Sequence, residues 1–207
     1  MEPTDRQIFN RNKILAILLI TLAAFAISGI SMGVFFLRPV TRARQLVSRG
    51  AGLRVGSAGL QDIKGIAERF GVKPGPDCTA ARCSLRVLID NARLPGWWRG
   101  PETALAASFS IENGILVEEG FALWTVGLNT PYAEVREKAH WRELPEPVDV
   151  DKKWISDNPK WRVIVNLTPA APPDLKRRYL SFNFWCLAKW HGCRNAQEML
   201  PAVDWNK

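Results

Sequence analysis

Residues 14–37 read ILAILLITLAAFAISGISMGVFFL and carry no charge over 24 positions. Their most polar members, Thr21, Ser28 and Ser31, have hydroxyls that bond back to helix carbonyls, so no polar face develops. At about 1.5 Å per residue the run spans roughly 36 Å, enough for a hydrocarbon core of about 30 Å. This predicts a transmembrane helix. Ala24-Phe25-Ala26 resembles a processing site, but the apolar run continues through Val34, Phe35, Phe36 and Leu37. A cleavage site ends an apolar region rather than bisecting it, so the segment is read as a retained signal-anchor.

Past Arg38-Pro39 the pattern changes to shorter periods. Leu60, Ile63, Ile66, Ala67 and Phe70 recur at helical spacing, with Ser57 as N-cap and Gly71 as stop. Leu85, Val87 and Ile89 alternate as in a strand. Asn113-Gly114 sits between two apolar-rich runs within 107–119, and both residues tolerate the positive φ of a type I′ turn, which predicts a β-hairpin. Gly120 would divide that hairpin from a strand over 121–126, and 132–141 and 161–167 are further strand candidates. The Pro- and Asp-rich stretch 144–159 reads as a loop. Leu175, Tyr179, Phe182, Cys186, Leu187 and Trp190 fall on one helical face, with Asp174 as N-cap and Gly192 as stop. Alternation of Leu180, Phe182 and Phe184 leaves a strand open for the first half. A short helix over 195–200 closes the pattern.

The fold class expected is α+β: an N-terminal transmembrane helix, then one antiparallel sheet with flanking helices. The segments are a short tail 1–13, the membrane helix 14–37, a basic juxtamembrane linker 38–56 and a globular domain 57–207.

Charge adds a partner to this picture. The chain has 28 Lys and Arg against 20 Asp and Glu. Arg38, Arg42, Arg44, Arg49 and Arg54 follow the apolar run directly and suit lipid headgroups. Without them the remainder is nearly neutral, so the lipid bilayer is the expected partner and nucleic acid is not. The cationic excess on this side argues for a cytoplasmic domain. Four cysteines argue the other way, and the domain is placed outside the cytoplasm, periplasmic or extracellular.

Cys78 with Cys83 and Cys186 with Cys193 permit three disulfide connectivities. Pairing within each cluster is the simplest; a cross-link between clusters would close a loop of about 105 residues, worth about 4–5 kcal/mol. Zinc is disfavoured because neither spacing is a C-x2-C knuckle. No metal site and no cofactor are expected. Trp97-Trp98-Arg99 lies in a loop bounded by Gly and Pro, where indoles have no regular element to bury them. These three residues are the candidate contact surface.

Catalysis finds little footing. His140 and His191 stand alone. Glu118-Glu119 reads as an exposed end of the hairpin, and Glu143, Glu146, Asp149 and Asp151 lack the spacing of a calcium loop. An enzyme is therefore not the favoured class, and no catalytic residue is assigned. The reading is a membrane-anchored extracytoplasmic binding or scaffolding domain. Two alternatives stand beside it. One is an accessory subunit of a larger membrane complex, with Ala23, Ala26, Gly29 and Gly33 packing on another membrane or envelope protein. The other is a cell-envelope enzyme acting on glycan or peptide.

Overall fold

The computed structural model describes the backbone of residues 5–76, 78–91, 102–126, 130–143, 146–155, 158–189 and 191–205. Side chains of 5–16, 30–32, 35, 36, 142, 143, 153–155 and 158–161 are outside that description. The chain divides into two compact units, Met1–Arg38 and Pro39–Lys207.

Helix α1 (Asp5–Gly50) runs through the whole uncharged segment and past Pro39. In the first unit its described apolar side chains are exposed, Phe25 to 78% and Ile20 to 69%. Among the described residues no helix is long and apolar enough to cross a membrane. The longest stretch of the uncharged run with described side chains is 17–29, which at 1.5 Å per residue covers about 20 Å.

The second unit is α+β. After α2 (Leu60–Arg69) come β1 (Arg82–Asp90), β2 (Thr103–Glu112), β3 (Ile115–Thr125), β4 (Tyr132–Lys138), β5 (Val148–Ile155) and β6 (Asn158–Leu167), then α3 (Pro173–Tyr179) and α4 (Ala196–Met199). The six strands form one sheet in the order β1-β2-β3-β4-β6-β5. Its pairs are antiparallel except β4 with β6, which run parallel. The sheet is thus mixed, not antiparallel throughout. The chain leaving β4 skips one position, forms the edge strand β5, and folds back into the gap as β6.

Two local expectations hold in detail. Asn113 and Gly114 adopt φ of 51° and 80°, the left-handed pair that the tight turn requires. Gly71, at φ 79°, ends α2. Helix α2 begins at Leu60 rather than after Ser57, because the Asp62 carboxylate accepts a hydrogen bond from Gly59 N at 2.9 Å.

Within 38–56, Val40, Ala43, Leu46, Val47 and Val55 are buried in the core. Other expectations fail for identifiable reasons. Residues 144–159 contain a strand, because Val148 and Val150 pack toward the core while Asp149 and Asp151 face water. Gly120 does not split a strand; it lies inside β3, where an added Cβ would come within 3.0 Å of Ser108 Oγ. The long helix expected over 174–190 stops at Tyr179. Leu180, Phe182 and Phe184 are all buried, and a helix turning 100° per residue cannot send residues two apart to one side. The chain leaves the helix in tight turns there, Phe182 N donating to the Leu180 carbonyl and Phe184 N to that of Phe182, then makes a 3-10 turn at Phe184–Leu187.

Candidate functional site

Register sorts the strand residues into two faces. One face carries the row Val87, Ala107, Phe121, Val135, Val165 and Val150, apolar from edge to edge. The parallel row above it reads Leu85, Phe109, Glu119, Glu137, Leu167 and Val148. Two carboxylates therefore stand directly opposite each other on adjacent strands, in the middle of a hydrophobic core. Glu119 is 2% exposed and Glu137 5%.

Lys176, from α3, holds this pair together. Its ammonium is ion-paired with Glu119 and lies 2.8 Å from Glu137 Oε2. It also donates to the Leu53 carbonyl at 3.0 Å, which ties the segment following α1 to the sheet. One cation faces two anions, so the cluster is a charge short of neutral. Burial pushes the Glu119 carboxyl up to about 7, only partly opposed by Lys176. Burial pulls the Lys176 ammonium down, but the carboxylates of Glu119 and Glu137 outweigh it and its pKa is raised. Glu119 Oε2 has no hydrogen-bond partner among the described residues. The cavity beside the cluster, reaching Leu167 and Leu180, has no room for a water molecule. A sealed site of this kind binds the protein to itself and gives a substrate no entry.

On the other face of the sheet, small residues lie beneath a layer of long ones. Ala104 and Ala106 are 0% and 4% exposed. Guanidinium and ammonium groups lie over rings: Arg86 over Trp124 at 5.7 Å, Arg162 over Tyr132 at 5.2 Å, Arg136 over Trp141 at 5.5 Å and Lys138 over Trp141 at 5.3 Å. Burial, together with the Glu134 carboxylate 2.9 Å from its hydroxyl, raises the Tyr132 phenol. Toward the hairpin end this face opens into a cleft of about 850 Å³. Its lining includes Ser84, Ser110, Glu112, Glu118 and His140. Glu118 is neutralised by Lys138 at 3.0 Å, and His140 is exposed with its ring edge-on to Trp141. Among the described residues no hydrogen bond joins Ser84 or Ser110 to His140. The cleft offers hydrogen bonds and one imidazole.

Both cysteine clusters close on themselves, Cys78 with Cys83 and Cys186 with Cys193. Loops of 5 and 7 residues are worth about 2 kcal/mol each by chain entropy. The second disulfide fastens the segment after α3 to the sheet: Cys193 N donates to Thr125 Oγ1 at 3.3 Å, itself 3.0 Å from Thr103 Oγ1. Gly192 makes that approach possible, with φ of 62° and the two threonines where a Cβ would be.

Of the headgroup candidates, Arg42 is engaged with the domain, donating to the Phe70 carbonyl at 3.2 Å and lying 5.8 Å from its ring. Arg38, Arg44 and Arg49 are exposed. Trp97, Trp98 and Arg99 lie outside the described residues, as does Trp190. Trp185 is 51% exposed. Asp149 accepts from Asn166 Nδ2 at 2.9 Å, and the described residues hold no group of acidic, His or Cys side chains fit for a metal.

Sequence reasoning placed Glu119 at an exposed strand end, which the structure corrects. The signal was parity. Glu119 shares its phase with Phe121 and Leu123, and Glu137 with Val135 and Ala133, so each charge sits on the apolar side of its strand. No protein-family model, curated protein or solved structure matches the chain.

Proposed function

We propose that this chain is a membrane-anchored binding or scaffolding domain, tethered by residues 14–37 and held outside the cytoplasm. The observation that carries the anchor is the uncharged run itself, 24 residues whose described side chains are exposed along α1. Apolar surface of that extent is costly in water and favourable in lipid. Two short disulfides suit an oxidising compartment. The binding surface is the polar face of the sheet, with its cation–aromatic layer and the cleft beside His140, together with the Trp97, Trp98 and Arg99 loop.

The test is topological. A protease confined to the outside of the membrane that holds the anchor, with any outer envelope opened first, should reach the domain, and the membrane fraction should retain it after carbonate washing. Protection of the domain under those conditions would place it in the cytoplasm and overturn the orientation.

A second reading, the subunit of a larger membrane complex, is favoured by one observation. Within α1, Gly29 and Gly33 have open space where a Cβ would stand, a four-residue spacing that lets another helix approach closely. Co-purification of a stoichiometric partner in mild detergent, lost on Gly29→Leu with Gly33→Leu, would support it. The enzyme reading gains nothing from the geometry, since the buried carboxylates are sealed and the exposed ones scattered.

A further inference from the structure

We infer that the basic surface formed by the end of α1 and the end of α2 docks on an anionic phospholipid bilayer. The inference rests on the anchored reading above and names the lipid class that the domain meets. Residues 38–73 contain eight Lys and Arg and only Asp62 and Glu68 as carboxylates, a balance of +6 within a chain total of +8. Asp62 is occupied in capping α2. Lys138, Lys176 and Lys189 form ion pairs, whereas no cation of this stretch is seen in one among the described residues.

Folding concentrates this charge. The Arg42 contact with Phe70 brings the end of α2 against the second unit's part of α1. Arg69 and Lys73, one and three residues from Phe70, therefore come to the same end of the unit as Arg42, and both are exposed. A bilayer of negative surface potential attracts each nearby cation by about 1 kcal/mol, and the attraction fades within about 8–10 Å. A tethered surface binds it without a second loss of translational freedom. A nucleic acid would require the same charge to line a groove away from the anchor, and residues 74–207 carry 17 Lys and Arg against 16 Asp and Glu, a balance of only +1.

The experiment uses the full chain reconstituted in nanodiscs of mixed phosphatidylcholine and phosphatidylglycerol, with retained lipids counted by native mass spectrometry. Wild type should hold phosphatidylglycerol in excess over the starting mixture. The variant Arg69→Gln, Lys73→Gln should lose that excess by about fivefold per cation, with unchanged melting because both side chains are exposed. Wild type that inserts but shows no anionic excess, or a variant that keeps it, overturns the proposal and leaves the anchor standing. Displacement of the lipid by a single-stranded oligonucleotide also overturns it. Wild type that never enters the discs defeats the anchored reading first, and this inference with it.

Discussion

The two faces of the sheet are made from alternate residues of the same six strands, yet they exclude water by different means. One is covered by helices, whose Leu46, Ile63, Leu187 and Met199 join the strand residues in a single core. The other is covered by its own long side chains, with Arg86, Arg136 and Arg162 lying across aromatic rings. On the helix-covered face two carboxylates depend on one lysine, so its tolerance for change is small. The polar face spreads its contacts over several mostly half-buried pairs, each worth about 0.5–1 kcal/mol. A surface free to change is where recognition can be carried. The sealed face is where the fold is held.

Breaking the sealed face should produce the largest effect. Lys176→Met leaves Glu119 and Glu137 facing each other with no cation and removes a donor from Leu53, which should cost about 3–5 kcal/mol in urea unfolding. Next comes Gly192→Ala, expected to cost about 2–3 kcal/mol, because the new methyl meets Thr103 and Thr125 at a positive φ.

The third prediction concerns pH. Glu119 titrates near 4.5 when unfolded and near 7 when folded, so the folded state binds the extra proton between those values. Its stabilising contribution is complete below about pH 4.5 and is lost as the pH rises through about 7, a change of about 2–3 kcal/mol. Urea midpoints should therefore fall from pH 5 to pH 8 in wild type and vary less in Glu119→Gln. An equal slope in both would show that the cluster does not titrate there. The smallest effect belongs to the polar face: Arg86→Ala and Arg136→Ala should each shift stability by no more than about 1 kcal/mol. A larger loss would mean that this face is as structural as the other.

What could be read in advance followed from local chemistry. Asn113-Gly114 specifies its turn through the φ values only those residues tolerate, and Gly71 ends its helix for the same reason. Cysteines five and seven apart pair with their neighbours. Features set by distant partners were hidden. Nothing in residues 144–159 announces that β5 will pair with a strand following it and leave β6 parallel to β4. The end of α3 is decided by where the core needs Phe182 and Phe184, against a periodicity that favoured more helix. Lys176 lies 57 residues from Glu119 in sequence, and only the parity of the two glutamates hinted that a cation must meet them.

The most direct test of the account is peptide mapping without reduction, done on full-length protein from carbonate-washed native membranes. The chain should sediment with the membrane and yield Cys78 linked to Cys83 and Cys186 linked to Cys193. Intact protein left in the wash, or all four thiols free in the pellet, would contradict it.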